Sequence, residues 1–357
     1  MTKKIKLIPA SAAAIAGLVA LSACGSNSYP DRLGAAESWS PYFPLSKNAQ
    51  VEMLETGLDD VRGLACDREG NFFLAEANGR VLKYSAGDKQ KGEGKFSEAD
   101  PTPDEPQKID QRGVVVGANS MLIAEHGRGR IAMRDKSVKA VPERDILVAA
   151  GRIAGPSGIA AFADTLFITD DHPWPGPGED PAFDSADYTR WIDKGSQRLF
   201  GAVYACRKFA CNADGCQCTP ELLVSRLRHP SGIAAEGPDG PLYVAESDSA
   251  EVRWAILEKN NEHWIRAGSL GSAPTAGQAL PPFMGVAVDD AHCHIFAAGP
   301  NSLYVLSRPR GMLGRIVFED AVTGVAYYAG SVYLVVGHRL CRIKLDKDGE
   351  CASGVRR

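Results

Sequence analysis

A repeat of roughly 40–50 residues runs through most of this 357-residue chain and restricts the fold more than any other feature. In each copy a glycine opens a short apolar run, a second β-rich run often ends in a carboxylate, and a third apolar run follows. The opening glycines are Gly63, Gly113, Gly158, Gly232, Gly285 and Gly324. Such short runs, separated by turn residues, predict strands. Six copies predict an all-β fold: a six-bladed β-propeller with four-stranded antiparallel blades over residues 50–346.

The sequence between the repeats supplies the remaining strands. Residues 222–224, 264–266 and 314–318 are predicted fourth strands of three blades. The strand at 51–54 precedes the first repeat, and we expect it to complete the last blade. This closure would remove exposed strand edges from the ring.

Two segments interrupt the repeat. Residues 89–107 are rich in Pro, Glu and Lys, which predicts a flexible exposed loop. Residues 171–200 carry Trp174, Tyr188 and Trp191 among prolines and glycines. Long insertions of this kind serve as lids or binding loops, or simply pack on the surface, and both alternatives stay open.

The N-terminus has the features of an export signal. Three lysines within the first six residues precede an apolar run at 7–20, which is too short to cross a bilayer as a helix. Residues 21–25, Leu-Ser-Ala-Cys-Gly, resemble the bacterial lipobox. The resemblance implies a signal peptide at 1–23 and lipid, including palmitate, on Cys24. It also implies an outer-membrane lipoprotein facing the periplasm.

The proposed boundaries and charge limit the possible partners. We expect a tether at 24–49, the propeller at 50–346 and a C-terminal tail at 347–357. Cleavage would leave 357 − 23 = 334 residues, and the loss of three lysines would change the formal charge from −4 to −7. This acidic balance argues against a nucleic-acid partner. The expected partners are the membrane, through the lipid anchor, and a small molecule or a periplasmic protein.

Nine cysteines are present, and an exported chain keeps disulfides. Four cysteines within 13 residues favour two disulfides of undetermined connectivity over a zinc site. These are Cys206, Cys211, Cys216 and Cys218. Cys341 and Cys351 form a further candidate pair. Cys66 and Cys293 are candidate free thiols.

Three stretches of the repeats resemble the SMP-30/gluconolactonase and strictosidine-synthase-like six-bladed propellers. They are 229–234 leading to 242–246, 303–306 leading to 311–316, and 323–326 leading to 332–334. NHL and sorbosone-dehydrogenase-like propellers have similar repeats. The resemblance to the lactonases implies one divalent metal in the central tunnel, which polarises a carbonyl and activates water.

The metal ligands of the lactonases do not carry over to this chain. The carboxylate position of the first blade lies near Arg62, and the two asparagine positions match Ser157 and Ser231. The aspartate position falls at Met284, which does not bind a hard cation such as Ca²⁺. The metal, if there is one, therefore needs a different set of ligands.

The repeat geometry predicts another cluster, because first strands begin and second strands end at the same face of a propeller. Four carboxylates end second strands, and histidines and further charged groups stand beside them. The candidates at this tunnel mouth are Arg62, Glu76, Glu125, His126, Asp170, Asp171, His172, His229, Glu246, Asp248 and His338. They could hold one Ca²⁺ or another divalent metal, supply a general acid and base, or stabilise turns.

Two functions follow from these observations. The first is a membrane-anchored periplasmic lipoprotein whose propeller is a binding platform for a small molecule or protein. The alternative is a metal-dependent lactonase or esterase with a remodelled metal site. Convergence of the Glu76, Glu125, Asp170 and Glu246 oxygens on one point would favour the alternative.

Overall fold

The computed structural model describes residues 34–45, 50–85, 95–100, 110–136, 144–146, 153, 155–162, 164–171, 200–207, 210–212, 215–236, 241–246, 254–260, 263–270, 284–289, 294–307 and 310–346. These ranges contain 27 strands and one 3-10 turn, His126–Arg128. No helix in them is long and apolar enough to cross a membrane.

The strands are short and follow one another along the chain. The first half contains β1 (Gly34–Ser38), β2 (Val51–Thr56), β3 (Val61–Cys66), β4 (Asn71–Glu76), β5 (Val81–Ser85), β6 (Lys95–Asp100), β7 (Gln111–Val116), β8 (Ser120–Glu125), β9 (Arg130–Asp135), β10 (Arg144–Ile146), β11 (Pro156–Phe162), β12 (Thr165–Asp170), β13 (Phe200–Arg207) and β14 (Ala210–Asn212). The second half contains β15 (Gly215–Gln217), β16 (Glu221–Arg228), β17 (Pro230–Ala235), β18 (Leu242–Glu246), β19 (Trp254–Asn260), β20 (His263–Leu270), β21 (Gly285–Asp289), β22 (His294–Ala298), β23 (Ser302–Ser307), β24 (Gly311–Phe318), β25 (Val322–Tyr328), β26 (Ser331–Val336) and β27 (Arg339–Lys344).

These strands form six sheets, and the first strand of each sheet contacts the first strands of its two neighbours. The blades, numbered I to VI, are β3–β6, β7–β10, β11–β13 with β16, β17–β20, β21–β24, and β25–β27 with β2. Contacts between first strands run in a closed cycle from β3 through β7, β11, β17, β21 and β25 back to β3. The cycle confirms the six-bladed β-propeller. The pairing of β2 with β27 completes blade VI, as predicted.

The core lies between neighbouring blades, where the second strands are buried on both faces. Residues 165–170, 294–298 and 331–336 are buried throughout. Between blades I and VI, the rings of Phe72 and Tyr333 lie 3.9 Å apart. Burial of one such aromatic side chain contributes about 2 kcal/mol, so these contacts hold the blades together.

The repeated glycine is explained by the close approach of neighbouring first strands. A Cβ atom on Gly113 would lie 2.7 Å from the backbone oxygen of Ser157 in the next blade. A Cβ atom on Gly158 would overlap the backbone oxygen of Ser231 and lie 2.9 Å from Thr169 Oγ1. Only glycine fits where the backbones approach this closely.

Two segments differ from their sequence predictions. Residues 95–100, inside the predicted flexible loop at 89–107, form β6, which pairs with β5 and gives blade I its fourth strand. Pairing with β5 covers a strand edge that would otherwise be exposed. This pairing stabilises the strand despite the polar composition of the segment. Residues 34–45 of the predicted tether pack on blade V, where β1 pairs with β24 as a fifth strand.

A hairpin from blade III extends blade II. The strands β14 and β15 lie in the connection between β13 and β16, and Ile146 of β10 pairs with Cys216 of β15 in parallel. Cys206 and Cys218 form a disulfide at the base of this connection, which confirms part of the predicted cysteine pairing. Blades II and III are thereby joined at their outer strands.

The predicted pair of Cys341 with Cys351 is wrong. Cys341 is a free cysteine, fully buried in the middle of β27, where its burial raises the pKa of the thiol to about 11. Cys351 lies outside the described residues. Cys66 is also free, as expected, and its thiol contacts the backbone oxygen of Tyr327.

We expect Cys211 and Cys216 to form the second disulfide of the cluster. They are direct Cα partners in the antiparallel pair of β14 and β15, where opposite residues lie close enough for a disulfide. Peptide mapping of the non-reduced protein by mass spectrometry should give two linked pairs, Cys206–Cys218 and Cys211–Cys216. Free thiols at Cys211 and Cys216, or a Cys206–Cys211 link, would contradict this expectation.

Candidate functional site

The upper face is defined here as the face at which first strands begin and second strands end. The registers place four carboxylates there, each opposite the start of a first strand: Val61↔Glu76, Gln111↔Glu125, Pro156↔Asp170 and Pro230↔Glu246. All four carboxylates are buried. The repeat therefore positions one acidic group at the same place in blades I to IV.

Two of these carboxylates are bound by arginines of their own blade. Glu76 accepts hydrogen bonds from Arg80 Nε at 2.5 Å and from the backbone N–H of Asp59 at 2.9 Å. Glu125 accepts from Arg130 Nε at 2.6 Å and from Arg134 Nη2 at 2.8 Å. These contacts fix the turns that follow the second strands, which is a structural role.

Asp170 has a similar role, because its Oδ1 accepts the backbone N–H of Gly155 at 3.0 Å. Glu246 is fully buried at the equivalent place. In the described part of the chain, no group of three His, Cys, Asp or Glu side chains is placed to hold a metal ion. Glu76, Glu125 and Asp170 thus stabilise the backbone of their own blades.

A second set of charged groups forms a continuous network across blades I, II and III. Arg62 donates to both carboxylate oxygens of Asp60, at 3.2 and 2.8 Å, and its Nη1 donates to Asp110 Oδ1 at 2.5 Å. Arg112 in turn donates to Asp110 Oδ2 through Nε and Nη2, at 3.1 and 2.9 Å. Asp110 therefore links the two arginines across the boundary between blades I and II.

The network ends at His126 and Asp171. Arg112 Nη1 donates to Asp171 Oδ2 at 2.6 Å. His126 Nε2 lies 2.6 Å from Asp171 Oδ1, and its Nδ1 lies 3.2 Å from Asp110 Oδ2. We call Asp60, Arg62, Asp110, Arg112, His126 and Asp171 the charged ladder.

The ladder shifts the pKa values of His126, Asp110 and Asp171 toward their charged forms. Desolvation lowers the pKa of His126, but hydrogen bonds to Asp110 and Asp171 outweigh it and raise the pKa above 6.5. Burial raises the pKa of Asp110, yet hydrogen bonds from His126 and Arg112 leave it well below 3.8. The pKa of Asp171 is lowered in the same way, with burial opposed by His126 and Arg112. With His126 protonated, three cations balance three carboxylates.

Both ring nitrogens of His126 face carboxylates, so the imidazole is a link in the ladder rather than a free general base. His338 lies at the same face, and its Nδ1 is 2.6 Å from the backbone oxygen of Leu58. His229 precedes β17 with a φ of 44°. His172 and Asp248 lie outside the described residues. Of the predicted residues, the structure thus brings together Arg62, His126 and Asp171.

The residue before each repeat glycine occupies the same upper-face position in all six blades. These residues are Arg62, Arg112, Ser157, Ser231, Met284 and Thr323. Ser157 Oγ donates to the backbone oxygen of Pro230, and Ser231 Oγ donates to that of Ala245. Met284 is 45% exposed. Thr323 Oγ1 is buried and has no hydrogen-bond partner among the described residues.

These contacts test whether the lactonase metal would fit. Arg62 is a cation, both serine hydroxyls are occupied by backbone carbonyls, and a methionine sulfur does not suit a hard cation. The donor set in the described residues does not fit the metal site that the family resemblance implies.

Asp60, Asp110 and Arg112 were not among the predicted site residues, although the sequence contains a signal for them. Residues 60–63 are Asp-Val-Arg-Gly and residues 110–113 are Asp-Gln-Arg-Gly, at the same place in consecutive repeats. Asp60 and Asp110 both have positive φ angles, 33° and 45°. Asp is one of the few residues other than glycine that adopt this conformation readily.

No family model and no curated protein matches this chain. Solved structures do show the fold. A gluconolactonase from Xanthomonas campestris has a TM-score of 0.61 and 17% identity, covering 88% of this chain and 95% of that chain. A PQQ-bound aldose sugar dehydrogenase from Streptomyces coelicolor has a TM-score of 0.55 and 13% identity, covering 83% of this chain and 98% of that chain. A calcium-binding regucalcin from Agrobacterium tumefaciens has a TM-score of 0.53 and 11% identity, covering 84% of this chain and 95% of that chain.

At these identities the similarity shows a common fold. It supports the resemblance drawn from the repeats, since the gluconolactonase and the regucalcin are both propellers of the expected architecture. Function must be argued from the side chains of the upper face.

The ladder predicts a pH dependence of stability. Because the pKa of His126 is raised in the folded protein, its contribution is fully present below pH 6.5 and is lost as pH rises through the folded-state pKa. Because the pKa of Asp110 is lowered, its contribution is present above pH 3.8 and is lost as pH falls through its folded-state value. The free-energy difference between the wild type and His126→Gln should therefore be largest between these limits and shrink at alkaline pH. Urea unfolding across pH tests this, and a difference that grows above pH 8 would contradict it.

Proposed function

We propose that the upper face binds a small, oxygen-rich molecule, such as a sugar acid or its lactone, with Arg62 and Arg112 as the principal donors. The observation that carries this proposal is the unused capacity of the two guanidinium groups. Each arginine uses three of its five N–H groups in the ladder. The other two on each have no acceptor in the described part of the chain.

The two arginines are fixed but accessible. Their side chains are 37% and 30% exposed, while Asp110 and Asp171 hold them through ion pairs that cross blade boundaries. Arginine side chains that are already ordered lose little conformational entropy when a ligand binds. Planar guanidinium groups also suit carboxylate and hydroxyl oxygens. These properties favour recognition of a polar ligand over a purely structural role for the ladder.

The upper face also offers an apolar contact. Met284 in blade V occupies the position equivalent to Arg112 in blade II, three blades away in the closed cycle. Its side chain is 45% exposed, unlike the buried Ser157 at the same position in blade III. A ligand with oxygens at one end and a carbon skeleton at the other would complement this arrangement.

A thermal-shift screen with sugar acids, their lactones, uronic acids and sugar phosphates tests the proposal. At least one compound should raise the melting temperature of the wild type, and Arg112→Gln should abolish that shift. The matched control is Arg207→Gln, which removes an exposed pair with Glu221 at the opposite face. Equal shifts in the wild type and Arg112→Gln would contradict the proposal.

A second candidate is hydrolysis of lactones or esters, the alternative function that the repeats suggest. The similarity of fold to the gluconolactonase from Xanthomonas campestris favours it over a protein-binding platform. The described side chains do not provide the expected metal site, so no metal-assisted step is assigned. A pH-stat assay of the same lactones, with and without added Ca²⁺, separates the candidates. Turnover supports the hydrolase, and a shift in melting temperature without turnover supports binding alone.

The lipobox-like sequence carries a separate proposal on location. We propose that Cys24 is acylated and holds the protein in the cell envelope, with Gly25 after it directing it to the outer membrane. Several acyl chains at about 0.8 kcal/mol per buried methylene would anchor it durably. Metabolic labelling with a palmitate analogue should label the wild type and not Cys24→Ala.

A further inference from the structure

The two arginines of the charged ladder offer N–H donors, but their positive charge is already balanced. The guanidinium group of Arg62 contacts Asp60 at 2.8 Å and Asp110 at 2.5 Å. That of Arg112 contacts Asp110 at 2.9 Å and Asp171 at 2.6 Å. Each cation therefore contacts two carboxylates. A ligand that approaches either arginine meets donors whose charge is largely compensated before the ligand arrives.

The ladder as a whole carries no net positive charge. Its three aspartates carry three negative charges, its two arginines carry two positive charges, and His126 adds a third when it is protonated. The six side chains thus sum to zero, or to −1 with a neutral imidazole. A carboxylate ligand gives up its hydration on binding, and a site without net positive charge offsets little of that cost. Hydroxyl groups lose less on leaving water and need only partners for their hydrogen bonds.

Asp60 differs from the other two carboxylates of the ladder in its exposure. Its side chain is 53% exposed, whereas those of Asp110 and Asp171 are 26% and 15% exposed. Each oxygen of Asp60 accepts one hydrogen bond from Arg62, at 3.2 and 2.8 Å, and a carboxylate oxygen has two lone pairs. Asp60 therefore keeps the capacity to accept hydrogen bonds from a ligand. A ligand hydroxyl can donate to it, whereas a ligand carboxylate is repelled by it.

We infer that Asp60 is a specificity-determining residue, which makes the upper face bind uncharged, polyhydroxylated ligands in preference to sugar acids of the same shape. Because Asp60 and Arg62 contact each other directly, an acceptor and a donor adjoin, which suits two neighbouring hydroxyl groups of one ligand. The inference rests on the proposed function and narrows the class of ligand that this face takes.

Calorimetric titration of the full chain with two matched pairs of compounds tests the preference. The pairs are glucuronamide with glucuronate, and gluconamide with gluconate, in which an amide replaces a carboxylate of nearly the same shape. In at least one pair the wild type should bind the amide more tightly by on the order of fivefold, the effect of one unit charge several ångströms away near a protein surface. Tighter binding of the acids would overturn the inference and leave the proposed function intact. Binding of none of the four compounds would contradict both.

The role of Asp60 is tested by Asp60→Asn, which keeps the shape of the side chain and removes its charge. The ratio of the two dissociation constants in a pair should move toward the acid by on the order of fivefold. A general loss of stability would affect both compounds and leave this ratio unchanged. Arg112→Gln should instead weaken both compounds, and its failure to do so would contradict the proposed function rather than this inference.

The matched control is Asp320→Asn, which makes the same change in net charge outside the ladder. The side chain of Asp320 is also 53% exposed, and it pairs with Arg339, which lies opposite Val336 at the upper end of blade VI. This variant should leave the ratio of dissociation constants as it is in the wild type. An unchanged ratio in Asp60→Asn, or an equal change in Asp320→Asn, would overturn the role of Asp60.

Discussion

Replacing Gly158 with alanine is expected to lower the free energy of unfolding by about 3 kcal/mol, the upper end of the range for overpacked sites. The new Cβ atom would overlap the backbone oxygen of Ser231 and lie 3.0 Å from the Cα atom of Gly232. Both atoms belong to the first strand of the next blade, which is held by its own sheet and by the closed ring. Urea unfolding followed by tryptophan fluorescence measures the loss.

The matched control is Gly285→Ala, at the equivalent position of blade V. There the nearest atom to a Cβ would be Val325 Cγ1 at 3.4 Å, which is an ordinary contact. This variant should change the free energy of unfolding by less than about 1 kcal/mol. Equal losses in the two variants would show that the glycine is needed for a reason other than close approach.

Replacing Glu125 with glutamine should also destabilise the protein by about 3 kcal/mol, because it removes the charge of a buried carboxylate that two arginines contact closely. The side chain of Glu125 is fully buried, while those of Arg130 and Arg134 are 20% and 11% exposed. Loss of the negative charge removes the buried carboxylate that both arginines contact in the folded state.

The control for this prediction is Glu52→Gln, which removes an exposed ion pair with Arg342. Those two side chains are 53% and 41% exposed, so the loss should stay below about 1 kcal/mol. If Glu125→Gln unfolds like the wild type but loses a bound Ca²⁺ ion, the carboxylate is a metal ligand and its structural role is contradicted.

The repeat predicted the architecture well, because each of its parts has a separate physical cause. The glycine marks the close approach of first strands, and the apolar runs mark strands buried on both faces. Residues 95–100 were missed because their pairing depends on β5 rather than on their own polar composition. The contribution of β1 to blade V was missed because a single edge strand has no partner nearby in the sequence.

The site was less predictable than the fold. The positions of Arg62, His126 and Asp171 at one face followed from the repeat, but their contacts did not. The charged ladder depends on Asp110 and Arg112, whose side chains join neighbours 48 and 59 positions away in the sequence. The carboxylates that end the second strands stood out in the sequence, yet the structure shows that Glu76 and Glu125 bind arginines of their own blades.

The fold alone does not indicate a function, whereas the side chains of the upper face do. The propeller is common to proteins with different activities, including the gluconolactonase and the aldose sugar dehydrogenase with which it shares the fold. The guanidinium groups of Arg62 and Arg112 are features of this chain's own upper face. They favour an oxygen-rich ligand whether or not the protein transforms it.

Hydrogen–deuterium exchange with mass spectrometry, with and without a sugar acid or lactone that raises the melting temperature, tests the central claim most directly. The account predicts slower exchange in the ligand complex at residues 60–63 and 110–113 and around Asp171, with little change at the lower-face turns of the same blades. Protection confined to the lower face, or none at a saturating ligand concentration, would contradict binding at the charged ladder.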